Sequence, residues 1–174
     1  GRGAAPPAGR PAPSSRRRYP RVDDQTLIDV PLADADLITS MPPEEYQLVE
    51  EWVLSTTEEL SALRAGLVAT LESQGVPSTG RLSSTPDKLV LIASELATNA
   101  LRHGLPPTIV RLARSGDRFL LEVADHDVST EPVYAGRRIP GAGGVGLHMA
   151  RQLSLDVGWY RTDDVKTVWA TFTA

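Results

Sequence analysis

The sequence contains no cysteine, three histidines and no long apolar run. Without cysteine, disulfides, thiolate metal sites and a cysteine nucleophile are excluded. The histidines show no paired spacing such as His-Glu-x-x-His, so a zinc site is not expected. No apolar run approaches the length of a membrane span, and no hydrophobic segment follows the arginine-rich start. We therefore expect a cytoplasmic protein that does not enter a membrane.

The 174 residues, 41% of them apolar, suffice for one domain with a substantial core. Six arginines precede residue 22 without an acidic residue, leaving 12 basic against 22 acidic residues, or −10, for the remainder. This acidic body argues against direct nucleic-acid binding. Residues 1–21 consist largely of Gly, Ala, Pro and Arg, which predicts a disordered basic tail. The first residue is not Met, as expected for a fragment of a longer protein.

Residues 85–104 have the marks of one well-delimited helix. Thr85 suits the N-cap, and Gly104 can end the helix in the left-handed conformation. An apolar stripe follows the helical repeat at Leu89, Ile92, Ala93, Leu96 and Ala100.

A polar edge borders this stripe. Glu95, Asn99 and His103 are spaced at i, i+4 and i+8, so they align on one face of the helix. Such an edge is either a solvated surface or a functional site, and the helix alone does not decide between them.

The other periodic segments predict the fold class. Residues 46–53 and 60–71 place apolar side chains at helical steps, with a capping box and a break near Ser55. Runs with strand composition are found at residues 26–30, 108–113, 118–124, 155–161 and 166–173. A further helix is predicted over residues 145–153. This order predicts helices on one face of a mostly antiparallel sheet, an α/β architecture of the α+β type.

A glycine cluster at residues 141–146 satisfies the pattern G-x-G-x-x-G, and Asp163 follows about twenty residues later, as a dinucleotide site requires. The context argues against such a site, because no buried strand precedes the cluster and too little chain follows it for a doubly wound sheet. Two interpretations stay open. The glycines let backbone N–H groups approach a phosphate, or they only let a loop turn tightly.

Four ordered boxes carry a family resemblance. They read Glu95-x-x-x-Asn99-Ala100-x-x-His103-Gly104, Val123-Ala124-Asp125-x-Asp127, Gly144-x-Gly146-Leu147-x-x-Ala150 and Lys166-Thr167-Val168-Trp169. Together they look like the N, G1 and G2 boxes and the last strand of the GHKL ATPase superfamily, most closely its small anti-sigma-factor and serine-kinase branch. The resemblance covers residues 56–174 and leaves residues 22–55 as an extension of loop, short strand and helix. The G1 box departs from the family pattern Asp-x-Gly-x-Gly, since neither glycine is present.

The resemblance implies a two-layer α/β sandwich, the Bergerat-type ATP-binding fold, with ATP and Mg²⁺ between the central helix and a glycine-containing lid. It implies that Asn99 holds Mg²⁺ and that Glu95 is the general base. Asp125 is expected to accept a hydrogen bond from the adenine amino group, with Thr167 helping through water.

The same resemblance completes the nucleotide-binding set with the lid residues Gly144, Gly146 and Leu147. The two glycines are expected to let the lid backbone close on the phosphates. His103 and Lys166 belong to the matching boxes but receive no role.

The implied function is that of a regulatory domain that controls a sigma factor by partner switching and phosphorylates a serine or threonine of an anti-anti-sigma (STAS-type) partner. A homodimer is compatible with this assignment. The alternative is a catalytically weak or inactive nucleotide-binding interaction module, which the missing G1 glycines favour. A sensor kinase that phosphorylates histidine is not expected, because neither predicted helix before residue 86 contains a histidine.

Overall fold

A five-stranded antiparallel sheet carries two α-helices on one face in the part of the chain that the structure describes. This structure is a computed structural model, and it describes residues 39–42, 45–81, 83–130, 150 and 152–174. The elements are β1 (Gln47–Leu54), a 3₁₀ turn (Thr57–Glu59), α1 (Leu60–Ser73), α2 (Thr85–His103), β2 (Thr108–Ser115), β3 (Arg118–Asp125), β4 (Asp156–Arg161) and β5 (Lys166–Thr173). The strand order is β1-β2-β3-β5-β4. The predicted α/β sandwich is therefore confirmed.

The core lies between the helices and the sheet face toward them, here called the inner face. The helix α1 contributes its buried leucines Leu60, Leu63, Leu67 and Leu71. The strand β3 contributes Phe119, Leu121 and Val123, which alternate onto the inner face as predicted. The two helices are also joined directly, since Nη1 of Arg64 donates to Oγ of Ser94 at 3.0 Å.

The first strand corrects a sequence expectation, because the helix predicted over residues 46–53 is wrong. These residues form the edge strand β1, which pairs with β2. The register shifts between Leu48 and Glu50, so two residues of β1 oppose one of β2 in a β-bulge. Tyr46 and Trp52 pack against different core clusters, on opposite faces of the sheet, and the combined apolar spacing of the two faces imitates a helical repeat.

The predicted break after this segment is present. The carboxylate of Glu59 accepts hydrogen bonds from the backbone N–H groups of Ser55 (3.1 Å) and Thr56 (3.2 Å), and the predicted capping box is formed by Thr56 and Glu59. The chain then enters α1 through the 3₁₀ turn.

The start of α2 also differs from the prediction by one residue, because Ser84 and not Thr85 is the N-cap. The Thr85 hydroxyl donates instead to the carbonyl of Thr173 at 2.5 Å, which ties the first turn of α2 to the end of β5. A local cap preference was thus overridden by a long-range hydrogen bond.

Residues 39–42 lie against the sheet on the side of β4. Thr39 forms a parallel bridge with Trp159, whose carbonyl accepts the backbone N–H of Ser40 at 2.9 Å. The Ser40 carbonyl accepts in turn from Nε1 of Trp169 at 2.7 Å. Trp169 belongs to the face of the sheet away from the helices, here called the outer face, so this segment helps to cover that face.

Several predicted features fall partly or wholly outside the described residues. These are the tail over residues 1–21, the strand over residues 26–30 and the glycine cluster. Of the helix predicted over residues 145–153, the described residues Ala150, Gln152 and Leu153 are helical. Within the described ranges, no helix combines the length and the apolar character that crossing a membrane requires.

Asp87 in the first turn of α2 organises the loop between the helices. Its carboxylate accepts hydrogen bonds from the hydroxyls of Ser78 and Ser84 and from the backbone N–H groups of Thr79 and Arg81. The hydroxyl hydrogen bonds above all lower the pKa of Asp87 from 3.8 to about 2. These bonds hold the loop onto the helix N-terminus.

We expect Asp87→Asn to lower the melting temperature at neutral pH and to weaken its acid dependence. A carboxyl whose pKa is lower in the folded state stabilises the fold above its ordinary pKa of 3.8, and this stabilisation is lost as the pH falls towards about 2. Melting curves from circular dichroism between pH 7 and pH 2 test this. Asp163→Asn, in the exposed turn after β4, is the matched control. Equal acid dependence in wild type and Asp87→Asn would contradict the expectation.

Candidate functional site

Two of the three residues of the polar edge of α2 are partly buried. Glu95 and Asn99 are each partly buried, whereas His103, one turn further on, is exposed. Among the described residues, neither the Glu95 carboxylate nor the Asn99 amide makes a hydrogen bond or an ion pair. Polar groups beside a core normally find partners, so these two are available to a ligand.

Asp125 lies at the end of β3 against the C-terminal end of α2. Only 5% of this residue is exposed. A Cβ atom added at Gly104 would lie 2.5 Å from Cγ of Asp125, so the carboxyl group occupies the space beside the glycine. Gly104 has φ −91° and ψ −169°, an extended conformation, and the predicted left-handed helix end is wrong. The glycine is needed there for space, and it brings Asp125 to the same helix as Asn99.

The Asp125 carboxyl is held in place by backbone N–H groups. Oδ1 accepts from the N–H of Asp127 at 2.8 Å. Burial raises the pKa of Asp125, while the hydrogen bonds from Asp127 and Leu105 and the charge of Lys166 oppose that rise. The result is a desolvated acceptor in a fixed orientation.

Lys166 lies directly across the sheet from Asp125. The two residues are register partners of β3 and β5, and Nζ of Lys166 is 3.6 Å from Oδ2 of Asp125. Both side chains are largely buried, with 10% and 7% of their surface exposed. The buried pair therefore forms one wall of the site on the inner face.

Thr167, the residue predicted to assist Asp125, points the other way. Successive side chains of a strand alternate between faces, and Val168 of β5 belongs to the inner core while Trp169 belongs to the outer cluster. Thr167 therefore faces outward, beside Tyr160 of β4 in the register. Its buried hydroxyl has no hydrogen-bond partner, but the structure does not bring it together with Asp125.

Asp127 stands where the family pattern has its first G1 glycine. Its carboxylate accepts hydrogen bonds from the Ser129 hydroxyl (2.6 Å), the Ser129 N–H (3.1 Å) and the Thr130 hydroxyl (2.8 Å). The hydroxyl bonds lower the pKa of Asp127. Nζ of Lys166 also approaches the Thr130 hydroxyl at 3.2 Å. The Asp127 carboxylate is thus hydrogen-bonded within its own loop.

The remaining predicted residues, Gly144, Gly146 and Leu147, lie outside the described residues. Ala150, in the same box, is fully buried in the inner core. The structure thus brings together the α2 edge and Asp125, and it adds Lys166. Lys166 lies two residues before Val168, so strand alternation places both side chains on the same face of β5. Sequence reasoning could have found Lys166 if the pairing of β5 with β3 had been known.

The described residues contain no group of three His, Cys, Asp or Glu side chains that could hold a metal ion. The Asn99 amide oxygen is a suitable ligand for a hard cation such as Mg²⁺. Mg²⁺ usually takes one or two protein ligands and fills its coordination with water and substrate phosphates. Asn99 is therefore a suitable ligand for Mg²⁺ that is bound together with phosphates.

Comparison with known proteins gives a family match and matches to solved structures. Residues 53–172 match the model of the histidine kinase-like ATPase domain. Among eleven matching solved chains is the crystal structure of the RsbU and RsbW domains of Rv1364c from Mycobacterium tuberculosis, with 21% identity and a TM-score of 0.51. The match covers 71% of this chain and 32% of that chain, so this chain spans about a third of its length. The search of curated proteins finds no match.

We expect Gly104→Ala to destabilise the fold by about 1–3 kcal/mol, because the new methyl group overlaps the Asp125 carboxyl and the Ala100 carbonyl. Alanine adopts the backbone angles of Gly104 without strain, so the cost measures the contact. In urea unfolding, Gly104→Ala combined with Asp125→Ala should cost less than the sum of the single changes. Additive costs would show that Asp125 does not limit the space.

Proposed function

The chain belongs to the histidine kinase-like ATPase domain family, and on that basis we propose that it is an ATP- and Mg²⁺-binding regulatory domain of the anti-sigma type. In this proposal it phosphorylates a serine or threonine of an anti-anti-sigma partner. The observation that carries it is that Glu95 and Asn99, which have no partner among the described residues, lie on the helix whose end contacts the buried Asp125.

The nucleotide base is assigned to the C-terminal end of α2. There Asp125 is buried and oriented by the Asp127 N–H, and it accepts a hydrogen bond from the adenine amino group. A desolvated acceptor discriminates well, because a base without the matching donor leaves it unpaired.

The phosphates are assigned to the middle of α2. Asn99 precedes Gly104 by five residues, or about 7.5 Å along a helix axis, so the nucleotide runs from Asp125 back along the polar edge. Asn99 holds Mg²⁺, which offsets the phosphate charge. The lid residues Gly144, Gly146 and Leu147 are assigned to the phosphates by sequence alone.

Glu95 lies one turn further from the base, about 6 Å along the axis from Asn99, and is assigned as general base. The partner hydroxyl gives its proton to Glu95 while its oxygen bonds the γ-phosphorus. The bond from that phosphorus to the bridging oxygen breaks, and ADP leaves. The Glu95 carboxylate has no ion-pair partner among the described residues, so it is available to accept this proton.

The partners, a sigma factor and a STAS-type protein, follow from the resemblance of the sequence boxes to the anti-sigma branch. The likeness to a solved chain that contains an RsbW domain supports the fold on which this assignment depends. Partner switching in the cytoplasm completes the proposal.

The second candidate is a nucleotide-binding interaction module without catalysis. It is favoured by Asp127 at a G1 glycine position and by the Lys166 charge beside Asp125. Calorimetric titration with ATP and Mg²⁺ and a phosphotransfer assay separate the two. Binding without transfer to any STAS-type partner selects the module.

We expect Mg²⁺-ATP to raise the melting temperature of the wild-type chain and not that of Asn99→Ala. A ligand at 100 times its Kd stabilises the native state by about 2.7 kcal/mol. Removal of the amide oxygen weakens the metal–phosphate complex. Ser61→Ala, on the exposed side of α1, should keep the full shift. An undiminished shift in Asn99→Ala would refute the metal assignment.

We expect Glu95→Gln to slow transfer of labelled γ-phosphate by about 10²–10⁴-fold, the usual contribution of a general base. Its affinity for ATP should stay close to that of the wild type, since Gln has the same shape. Glu72→Gln on the exposed surface of α1 is the matched control. Unchanged transfer by Glu95→Gln would rule out the base role.

A further inference from the structure

Asp125 and Lys166 form a buried pair in which each residue keeps hydrogen-bonding capacity that the other does not use. Their closest approach, 3.6 Å, is longer than a charge-assisted hydrogen bond of about 2.7–2.9 Å. In the described part of the chain, Oδ1 of Asp125 accepts from the Asp127 N–H, the backbone of Leu105 also bonds the carboxylate, and Oδ2 lies 3.6 Å from the lysine. A carboxylate offers about four acceptor sites, so Asp125 keeps acceptor capacity for a ligand. Lys166 has three N–H donors, of which one is directed to Thr130. An acceptor and a donor with spare capacity thus lie side by side.

We propose that Lys166 is the second base-recognition residue of the site, donating a hydrogen bond to N1 of adenine while Asp125 accepts one from the N6 amino group. This inference rests on the proposed ATP binding. The Watson–Crick edge of adenine presents a donor, N6, beside an acceptor, N1. The Asp125 and Lys166 pair is the complement of that edge.

The position of Lys166 follows from the sheet. The register pairs Asp125 with Lys166, so both side chains emerge from the same face of neighbouring strands. Thr167 faces outward and cannot share this task. Thr130, itself bonded to Asp127, fixes the ammonium beside the carboxylate. The G1 loop, which lacks the family's glycines, therefore contributes the Thr130 hydroxyl that orients Lys166.

A purely structural role for Lys166 predicts something different. A lysine that only neutralises Asp125 would affect every nucleotide alike, through the charge and orientation of the carboxylate. A lysine that bonds N1 affects only nucleotides that have N1. Binding of ATP and of 1-deaza-ATP, in which a C–H group replaces N1, separates these roles.

The test is calorimetric titration of wild type and Lys166→Met with both nucleotides in the presence of Mg²⁺. We expect Lys166→Met to weaken ATP binding by about 10- to 100-fold, the value of a hydrogen bond to a charged group, and to leave 1-deaza-ATP binding within about twofold. Circular dichroism confirms folding of the variant. If Lys166→Met does not fold because Asp125 loses its cation, Asp125→Asn is compared with Asp125→Asn combined with Lys166→Met, where the second change should again affect ATP alone.

Equal loss of both nucleotides on removal of Lys166 would overturn the role of the lysine and leave ATP binding intact. Absence of ATP binding by the wild type would overturn the ATP proposal and the lysine role together. Titration of the wild type thus tests ATP binding, and titration of the variant tests the lysine role.

Discussion

The packing of the Asp125 carboxyl against the Cα of Gly104 sets the geometry of the whole site. It fixes how closely the end of α2 approaches β3, because a side chain at position 104 would separate the two. Asn99 and Glu95 follow at one-turn intervals along the helix, and Lys166 is placed across the sheet by the β3 and β5 register.

The site therefore combines groups with opposite energetic characters. Asp125 and Lys166 are both largely buried, and charged groups at such positions are costly to desolvate unless they are paired. Glu95 and Asn99 are partly solvated and without partners in the described part of the chain. One end of the site is buried, and the other is partly exposed to solvent. That division suits the proposed binding of ATP, with the base at the buried end and the phosphates at the partly exposed end.

The parts of the fold that depend on local pattern were predictable. The α2 helix, the β2 and β3 hairpin and the strand over residues 166–173 all follow from periods of 3.6 or 2 within one segment. The predictions that failed concern features set by contacts between residues far apart in the sequence. In β1, apolar residues on both faces of the strand have a helix-like spacing, and the Thr85 hydroxyl bonds the Thr173 carbonyl instead of capping the helix. Which residues of β5 face the helices is likewise set by its pairing with β3, which a single sequence does not reveal.

The segment of residues 39–42 has a consequence for self-association. Sheet edges with free N–H and C=O groups are templates on which a second chain can add a strand. At the β4 edge, Thr39 and Ser40 already occupy backbone groups of Trp159. At the opposite edge, β1 is interrupted by its bulge and carries Glu50 and Glu51. Both edges of the described sheet are therefore poor starting points for fibril growth. The β4 edge is covered by residues 39 and 40, and the β1 edge is interrupted by a bulge and carries charge.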